Sequence, residues 1–404
     1  MVAIDKPKGM SSAQVIRDWQ GIFNSSAYFA PALERETRIR GQESNSARKR
    51  RRRNKIPVRV KMGHGGTLDP LASGVLIIGV ERGTKALEQF LWCKKTYETV
   101  VVFGASSDSY DRMGKLLKMA PYEHITRDAV AEALDTFLGT TKQTPPLFSA
   151  LKMNGKPLYE YAREGLPIPR DIPTRDVTVD SIELVEWYEP GTHRHFWPRE
   201  QASEADKRAA QQVYETSHKR PKVQSSPLMS GALPSSSEDT PINPSHLENM
   251  ADAELPETAN PAQEDPVISP HDSSTTPTPK VTIPKGKGSD LVQEEDPNAP
   301  PPWGAKIAGP PAARIRMTVS SGFYVRCLCH DLGEKVGSAA LMAELVRSRQ
   351  SHFVLGENVL AYDEITNDEN TGWGPKVAGA LRDWNLRQEE SRRQGGIEIE
   401  SELW

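Results

Sequence analysis

The chain is 404 residues long, carries a formal net charge of −3, and is 37% hydrophobic with 32 prolines, which suits one packed core with unstructured additions better than two or three full domains. No run of 18 apolar residues occurs, so no membrane span is implied, and three cysteines (Cys93, Cys327, Cys329) make no disulfide framework and fit a reducing compartment. The charge is uneven: residues 190–311 hold 17 acidic and 11 basic side chains, residues 366–404 hold eight and five, and the rest nets +6, a balance that fits a phosphate-rich partner.

In chain order, a first motif (Ala3-Ile4-Asp5-Lys6-Pro7-Lys8-Gly9-Met10-Ser11-Ser12) starts almost at Met1, with neither a signal peptide nor a mitochondrial presequence before it. Residues 24–56 read as an insertion ending in Arg48-Lys49-Arg50-Arg51-Arg52-Arg53-Asn54-Lys55. Such a run cannot fold against itself and reads as a nuclear-import signal or a nucleic-acid contact. The stretch from Lys61 to Gly74 then places four glycines, His64 and Asp69 in one loop. Glycines let a backbone take positive φ and approach a ligand closely, and Pro70 pushes Asp69 toward an extended conformation. A loop of this kind can present a catalytic carboxylate, although an Asp-Pro turn with a glycine-rich approach has the same pattern.

An apolar strand over 75–80 follows, then a helix over 84–92 and a strand over Tyr97–Phe103. A helix over 126–138 starts at the cap Thr126 and stops at Gly139. The runs 177–185 and 313–319 alternate with period two and suit neighbouring strands of one sheet. Between them lies residues 190–311, where 18 of the prolines fall between Pro221 and Pro311 among Ser, Thr, Asp and Glu, a composition that predicts disorder. A loop of that length adds only roughly 3 kcal/mol of closure entropy, so one domain can be split by it. Val325, Leu328, Leu332 and Val336 share a helical face, Ala340–Arg349 reads as another helix, and residues 366–404 read as an acidic, irregular tail. The elements predict an α+β domain made of residues 1–189 and 312–365, with a mixed, largely antiparallel sheet flanked by helices.

Two competing signals fail. Gly79-Val80-Glu81-Arg82-Gly83-Thr84-Lys85 has the wrong order for a phosphate-binding loop. Cys327, Cys329, His330 and Asp331 lack a second ligand pair at zinc spacing, and a helix would aim them apart. No metal and no cofactor is expected.

The loop resembles the signature of the TruB family of RNA pseudouridine synthases, in its fungal form. The first motif resembles that family's opening block, and Lys95-Thr96-Tyr97-Glu98-Thr99 its tyrosine strand. Gln143-Thr144-Pro145-Pro146, Ser149-Ala150-Leu151-Lys152 and Gly155–Gly165 resemble its central block. Ser321-Gly322-Phe323-Tyr324-Val325-Arg326 with Asp331-Leu332-Gly333, and then Leu345-Val346-Arg347, resemble its last two. Together these blocks cover about half of the chain in the family's order.

The resemblance implies the pseudouridine synthase fold and an isomerase that turns uridine into pseudouridine at position 55 of the tRNA T-loop. It implies Asp69 as the reacting carboxylate, as nucleophile at the sugar or base at C2′, with Arg326 as the guanidinium that orients it. Tyr97 would stack on the everted uracil and serve the final proton removal from C5. His64 would assist flipping, Tyr324 and Leu345 would line the pocket, and Lys6 would contact phosphate or scaffold. Expected partners are the tRNA T-loop and T-arm, with mRNA sites left open, no obligatory protein partner and a monomeric chain. The basic run favours the nucleus, and a mitochondrial form would need another start. The tail is too short for the RNA-binding PUA domain of bacterial relatives. The alternative is a non-catalytic, RNA-binding or tRNA-folding protein on the same scaffold.

Overall fold

The computed structural model describes residues 1–53, 57–204, 207, 208, 210, 309–367 and 372–401. Its elements run β1 (Val2–Lys6), α1 (Ser12–Ser25), α2 (Ala30–Gly41), α3 (Asn45–Arg53), β2 (Met62–His64), β3 (Ser73–Val80), α4 (Glu88–Trp92), β4 (Lys95–Phe103), β5 (Ala105–Ser107), β6 (Leu116–Met119), α5 (Arg127–Asp135), β7 (Gly139–Gln143), β8 (Lys152–Met153), β9 (Lys156–Pro157), α6 (Leu158–Arg163), β10 (Arg175–Tyr188), β11 (Ala312–Val319), α7 (Val325–Lys335), β12 (Ala340–Gln350), β13 (Phe353–Val354), β14 (Leu360–Ala361), α8 (Asp363–Thr366) and α9 (Trp373–Ser401).

The main sheet has the order β14-β1-β3-β12-β4-β11-β10-β7. β1 runs parallel to β14 and β3 parallel to β12, while the other pairs along this path are antiparallel, as a mixed, largely antiparallel sheet requires. Side chains alternate across it with period two. Val2, Ile4, Leu76, Ile78, Val101, Phe103, Ile315 and Met317 face one core with α1, α5 and α7. Ala3, Val75 and Ile77 face the other way, onto Phe90 of α4 and Trp384 of α9. The expected neighbours β10 and β11 pair through Leu184↔Ile315. The Thr126 cap is also in place, its hydroxyl accepting from the Ala129 amide at 3.3 Å.

Four expectations change. Residues 340–349 are a strand, not a helix. β12 sits between β3 and β4 with both faces covered, so Leu341, Met342, Ala343 and Leu345 are all buried and no alternation is left to read. The tail is a helix: Trp373 stacks on Phe23 at 5.1 Å, Val377 is fully buried, and Trp384 packs on Phe90 at 5.5 Å. Those three residues mark an apolar stripe at helical spacing. The stretch 24–56 contains α2 and α3, because Arg and Lys are good helix formers and the Ser44 hydroxyl accepts from the Ala47 amide.

The fourth concerns the long insertion, whose boundary moves from 190 to beyond 204. Trp197 donates its indole N–H to the Phe103 carbonyl at 2.8 Å, the Leu116 amide donates to Glu200 at 2.7 Å, and His193 reaches the Pro310 carbonyl at 2.7 Å. Residues 211–308, with most of the expected disorder, lie outside the described residues.

Candidate active site

The glycine-rich loop leaves β2, turns, and enters β3. His64 pairs with Ile78, and the Gly65 amide donates to Ile77 at 2.9 Å. Beyond that point the loop is fastened from several elements. The Ser12 hydroxyl, at the start of α1, accepts from the Leu68 amide at 2.9 Å and donates to its carbonyl at 3.0 Å. The Gly9 amide donates to Pro70, and the Gly74 amide donates to the Asp5 carboxylate at 3.1 Å. From β12, the fully buried Arg347 donates to Gly66 at 3.1 Å and to Val75 at 2.7 Å, while Gln350 donates to Gly65 at 2.6 Å and Phe90 at 2.9 Å. Asp69 is thereby held between tethered flanks. Gly74 is required as glycine: its φ is +99°, and a Cβ there would collide with the Arg347 carbonyl.

Arg326 sits in the first turn of α7. Its Nε lies 2.9 Å from Asp69 Oδ2, its Nη1 donates to the Ser109 carbonyl at 2.9 Å, and its Nη2 donates to the Phe148 carbonyl at 2.9 Å. The arginine side chain is 5% exposed and that of Asp69 is 37% exposed. The guanidinium is thus locked from behind, and the carboxylate it holds reaches the open side. A second acid joins from the loop after β5. Asp111 Oδ2 is 3.8 Å from the same Nε, and its Oδ1 accepts from the Ser109 hydroxyl at 2.7 Å and the Met113 amide at 2.9 Å. Burial opposes charge on both partners. It pushes the Asp111 carboxyl upward against the pull of Arg326, whereas Asp69 and Asp111 together keep Arg326 protonated.

Tyr97 lies on β4, on the sheet face shared with α7, and belongs to the same buried cluster as Leu345 of β12 and Leu328 of α7. Tyr324 precedes α7. Gln143 clasps its backbone, accepting from the Tyr324 amide at 2.7 Å and donating to its carbonyl at 3.0 Å, and the Arg175 guanidinium lies 5.0 Å over its ring. His64 lines the loop, and its pKa is lowered to about 4, first by desolvation and then by the Arg347 charge. Lys6 belongs to the scaffold and not to an RNA-facing surface. It is fully buried, donates to the Pro7 and Met10 carbonyls at 2.8 and 2.7 Å, and burial lowers its pKa to about 7 despite the nearby Asp69.

Reading the sequence missed Asp111 and Gln350, and gave Gln143 and Arg347 no role. A cation inside the apolar run Leu345-Val346-Arg347 is a signal that could have found Arg347. Nothing local marks Asp111, which lies in a Ser/Asp turn and meets its partner 215 residues later in the chain. The cysteines of the rejected zinc pattern are tied elsewhere: Cys327 donates to the Thr144 carbonyl, and Cys329, pushed by burial up to about 12, lies against the Thr99 hydroxyl. Donor atoms of His330, Asp331 and Glu334 do come within 4.8 Å of one another on α7. A cavity of about 180 Å³ opens beside His330 and Tyr110, whose rings stack at 4.1 Å; Tyr97 does not line it.

Residues 51–199 match the TruB family pseudouridylate synthase N-terminal domain. The chain is 36% identical to tRNA pseudouridine synthase 4 of Schizosaccharomyces pombe over 387 residues, covering 95% of this chain and 85% of the relative. It is 31% identical to tRNA pseudouridine synthase 4 of Saccharomyces cerevisiae over 384 residues, covering 94% and 84%. Among solved structures, a chain of a Cbf5-Nop10-Gar1 complex aligns with a TM-score of 0.40 and 16% identity, over 93% of this chain and 58% of that one.

Proposed function

We infer the reaction from a premise of descent: the chain belongs to the TruB family of pseudouridylate synthases, and it isomerises uridine to pseudouridine in tRNA. We assign the uridine to position 55 of the T-loop, on the strength of the motif resemblance. The reaction breaks the C1′–N1 bond, turns the freed uracil and forms C1′–C5, after which C5 gives up its proton and N1 gains one. Product and substrate are isomers of the same atomic composition, so no electrons are exchanged with another reactant.

The observation that carries the reading is the 2.9 Å contact between Asp69 and Arg326, two groups 257 residues apart. In this reading Asp69 acts at the sugar, as nucleophile at C1′ or as base at C2′. Arg326 fixes which carboxylate oxygen faces outward, because its other nitrogens are spent on the Ser109 and Phe148 carbonyls. Everting a stacked nucleotide costs about a few kcal/mol. Stacking of the uracil on Tyr97 offsets about 1–3 kcal/mol of this, and a neutral His64 fills the space the base has left. Tyr97 also stands as the group that relays the C5 proton, its phenol oxygen accepting that proton as its own hydroxyl proton passes to solvent.

Asp69→Asn keeps the size of the side chain and removes its charge. It is expected to bind unmodified tRNA as the wild type does, and to lower pseudouridine formation by at least about 10³-fold, roughly 4 kcal/mol of barrier. Single-turnover release of tritium from C5-labelled tRNA measures this. Product formed at the wild-type rate would remove Asp69 from the chemistry.

A further inference from the structure

We propose that the arm formed by α2 and α3 is a second RNA-contact surface, which grips tRNA phosphates away from the reacting uridine. The proposal rests on the tRNA reading above.

Charge location is the first observation. Residues 30–53 hold eight arginines, one lysine and three glutamates, a net of +6. Residues 1–189 and 312–365 together also net +6, so everything in them outside the arm is neutral. The expected basic core is therefore a neutral core carrying a basic arm. A body without net charge exerts little long-range pull on a polyanion, and this arm holds the excess positive charge of these segments. The dominance of arginine suits phosphate oxygens, which accept its planar fork in pairs.

The second observation is that the cations of these helices do no packing, the contact with the core being made by Leu33 of α2. α2 buries no side chain, and the described residues of α3 are exposed or half-buried. Arg40 pairs with Glu36 at 2.7 Å, whereas Arg35, Arg38, Arg48, Lys49 and Arg50 face solvent. The core gains nothing from these residues, so core stability does not explain their identity.

The third is the arm's root. α1 starts at the serine that holds the loop beside Asp69, and its 14 residues extend about 21 Å. At its far end Phe29 stacks on Phe23 at 4.5 Å, and Phe23 stacks on Trp373 of α9. The cations are thus presented from a base fixed at the far end of the helix whose first residue tethers the catalytic loop.

The test is a full-length variant with Arg35, Arg38, Arg48, Lys49 and Arg50 each changed to Gln, which keeps helix propensity. Binding of unmodified tRNA is measured across a salt series, and turnover is measured on tRNA and on an excised T-arm hairpin. The tRNA Kd is expected to rise at least about 10-fold, and the slope of log Kd against log salt to fall by about 3 to 4, near the 0.9 per lost phosphate contact. Turnover of the hairpin, and kcat at saturating tRNA, are expected to stay within about twofold, which also reports an intact fold. Changing the four arginines to Lys is expected to keep the salt slope. Unchanged tRNA affinity and slope in the Gln variant overturn the proposal. The same holds if that variant loses only nuclear accumulation, which would assign the run to an import receptor. Failure of the wild-type protein to form pseudouridine on either RNA counts against the catalytic reading alone, because binding is scored separately.

Discussion

Arg326 is shared by two acids from two distant segments, and the three differ in how far local sequence reveals them. Asp69 stands out because glycines and a proline dictate its backbone. Arg326 has no local mark and is reached only through its motif. Asp111 is visible only in three dimensions, because a turn aspartate that caps itself through Ser109 and Met113 looks ordinary in sequence. His64 carries a measurable consequence at this scale. Its Nδ1 is buried without a hydrogen-bond partner among the described residues, and its pKa falls from the ordinary 6.5 to about 4. Between pH 6.5 and 4 the unfolded chain therefore binds a proton at this site that the folded chain refuses, and stability drops as the pH falls through that window. His64→Gln is expected to remove this component. The urea midpoint of the variant should lose less than that of the wild type between pH 7 and pH 5, and equal losses would show that His64 is not the group responsible.

At the scale of elements, the loop owes its shape to a strand far from it in sequence. β12 supplies Arg347 and Gln350, and it lies parallel to β3 with Arg347 opposite Gly74. That arrangement explains why the strand is not legible in the local sequence. A segment that must present apolar side chains to both faces, and a buried cation as well, has no clean period of any kind. The tail helix was missed for the opposite reason: its stripe is regular, but acidic and polar neighbours hide it. Gly74→Ala tests the β3–β12 contact. The added methyl meets the Arg347 backbone at a positive φ, so the variant is expected to lose at least about 3 kcal/mol of stability through strain and a displaced strand pair. Thermal unfolding reads this loss directly. A change in Tm of a degree or less would mean that β3 and β12 are less tightly apposed than described.

At the scale of the molecule, the split domain was legible in composition, but its edges were not. Residues 193–202 look like the start of a polar linker, yet Trp197 and the backbone of Glu200 and Ala202 are bonded onto the β4–β6 region. The two edges should differ in tolerance. Joining residue 204 to 309 through a short Gly/Ser linker is expected to leave kcat/KM on tRNA within about twofold and stability unchanged or slightly higher, since a shorter loop is easier to close. Joining 189 to 312 removes the Trp197 cover and the His193–Pro310 bond, and is expected to lower stability by about 2–4 kcal/mol. Denaturant titration of both deletions checks the pair of outcomes.

The strand order also constrains how the polypeptide can be made. β12 fills the slot between β3 and β4, yet it is among the last strands to be translated. A nascent chain that has emerged only as far as residue 339 holds two sheet halves with no strand to join them, and its Asp69 loop lacks the Arg347 and Gln350 tethers. Vectorial synthesis cannot therefore complete this domain from the N-terminus onward. The loop becomes fully braced only after the ribosome has passed the whole insertion, and a transcript cut short before that point encodes no working enzyme.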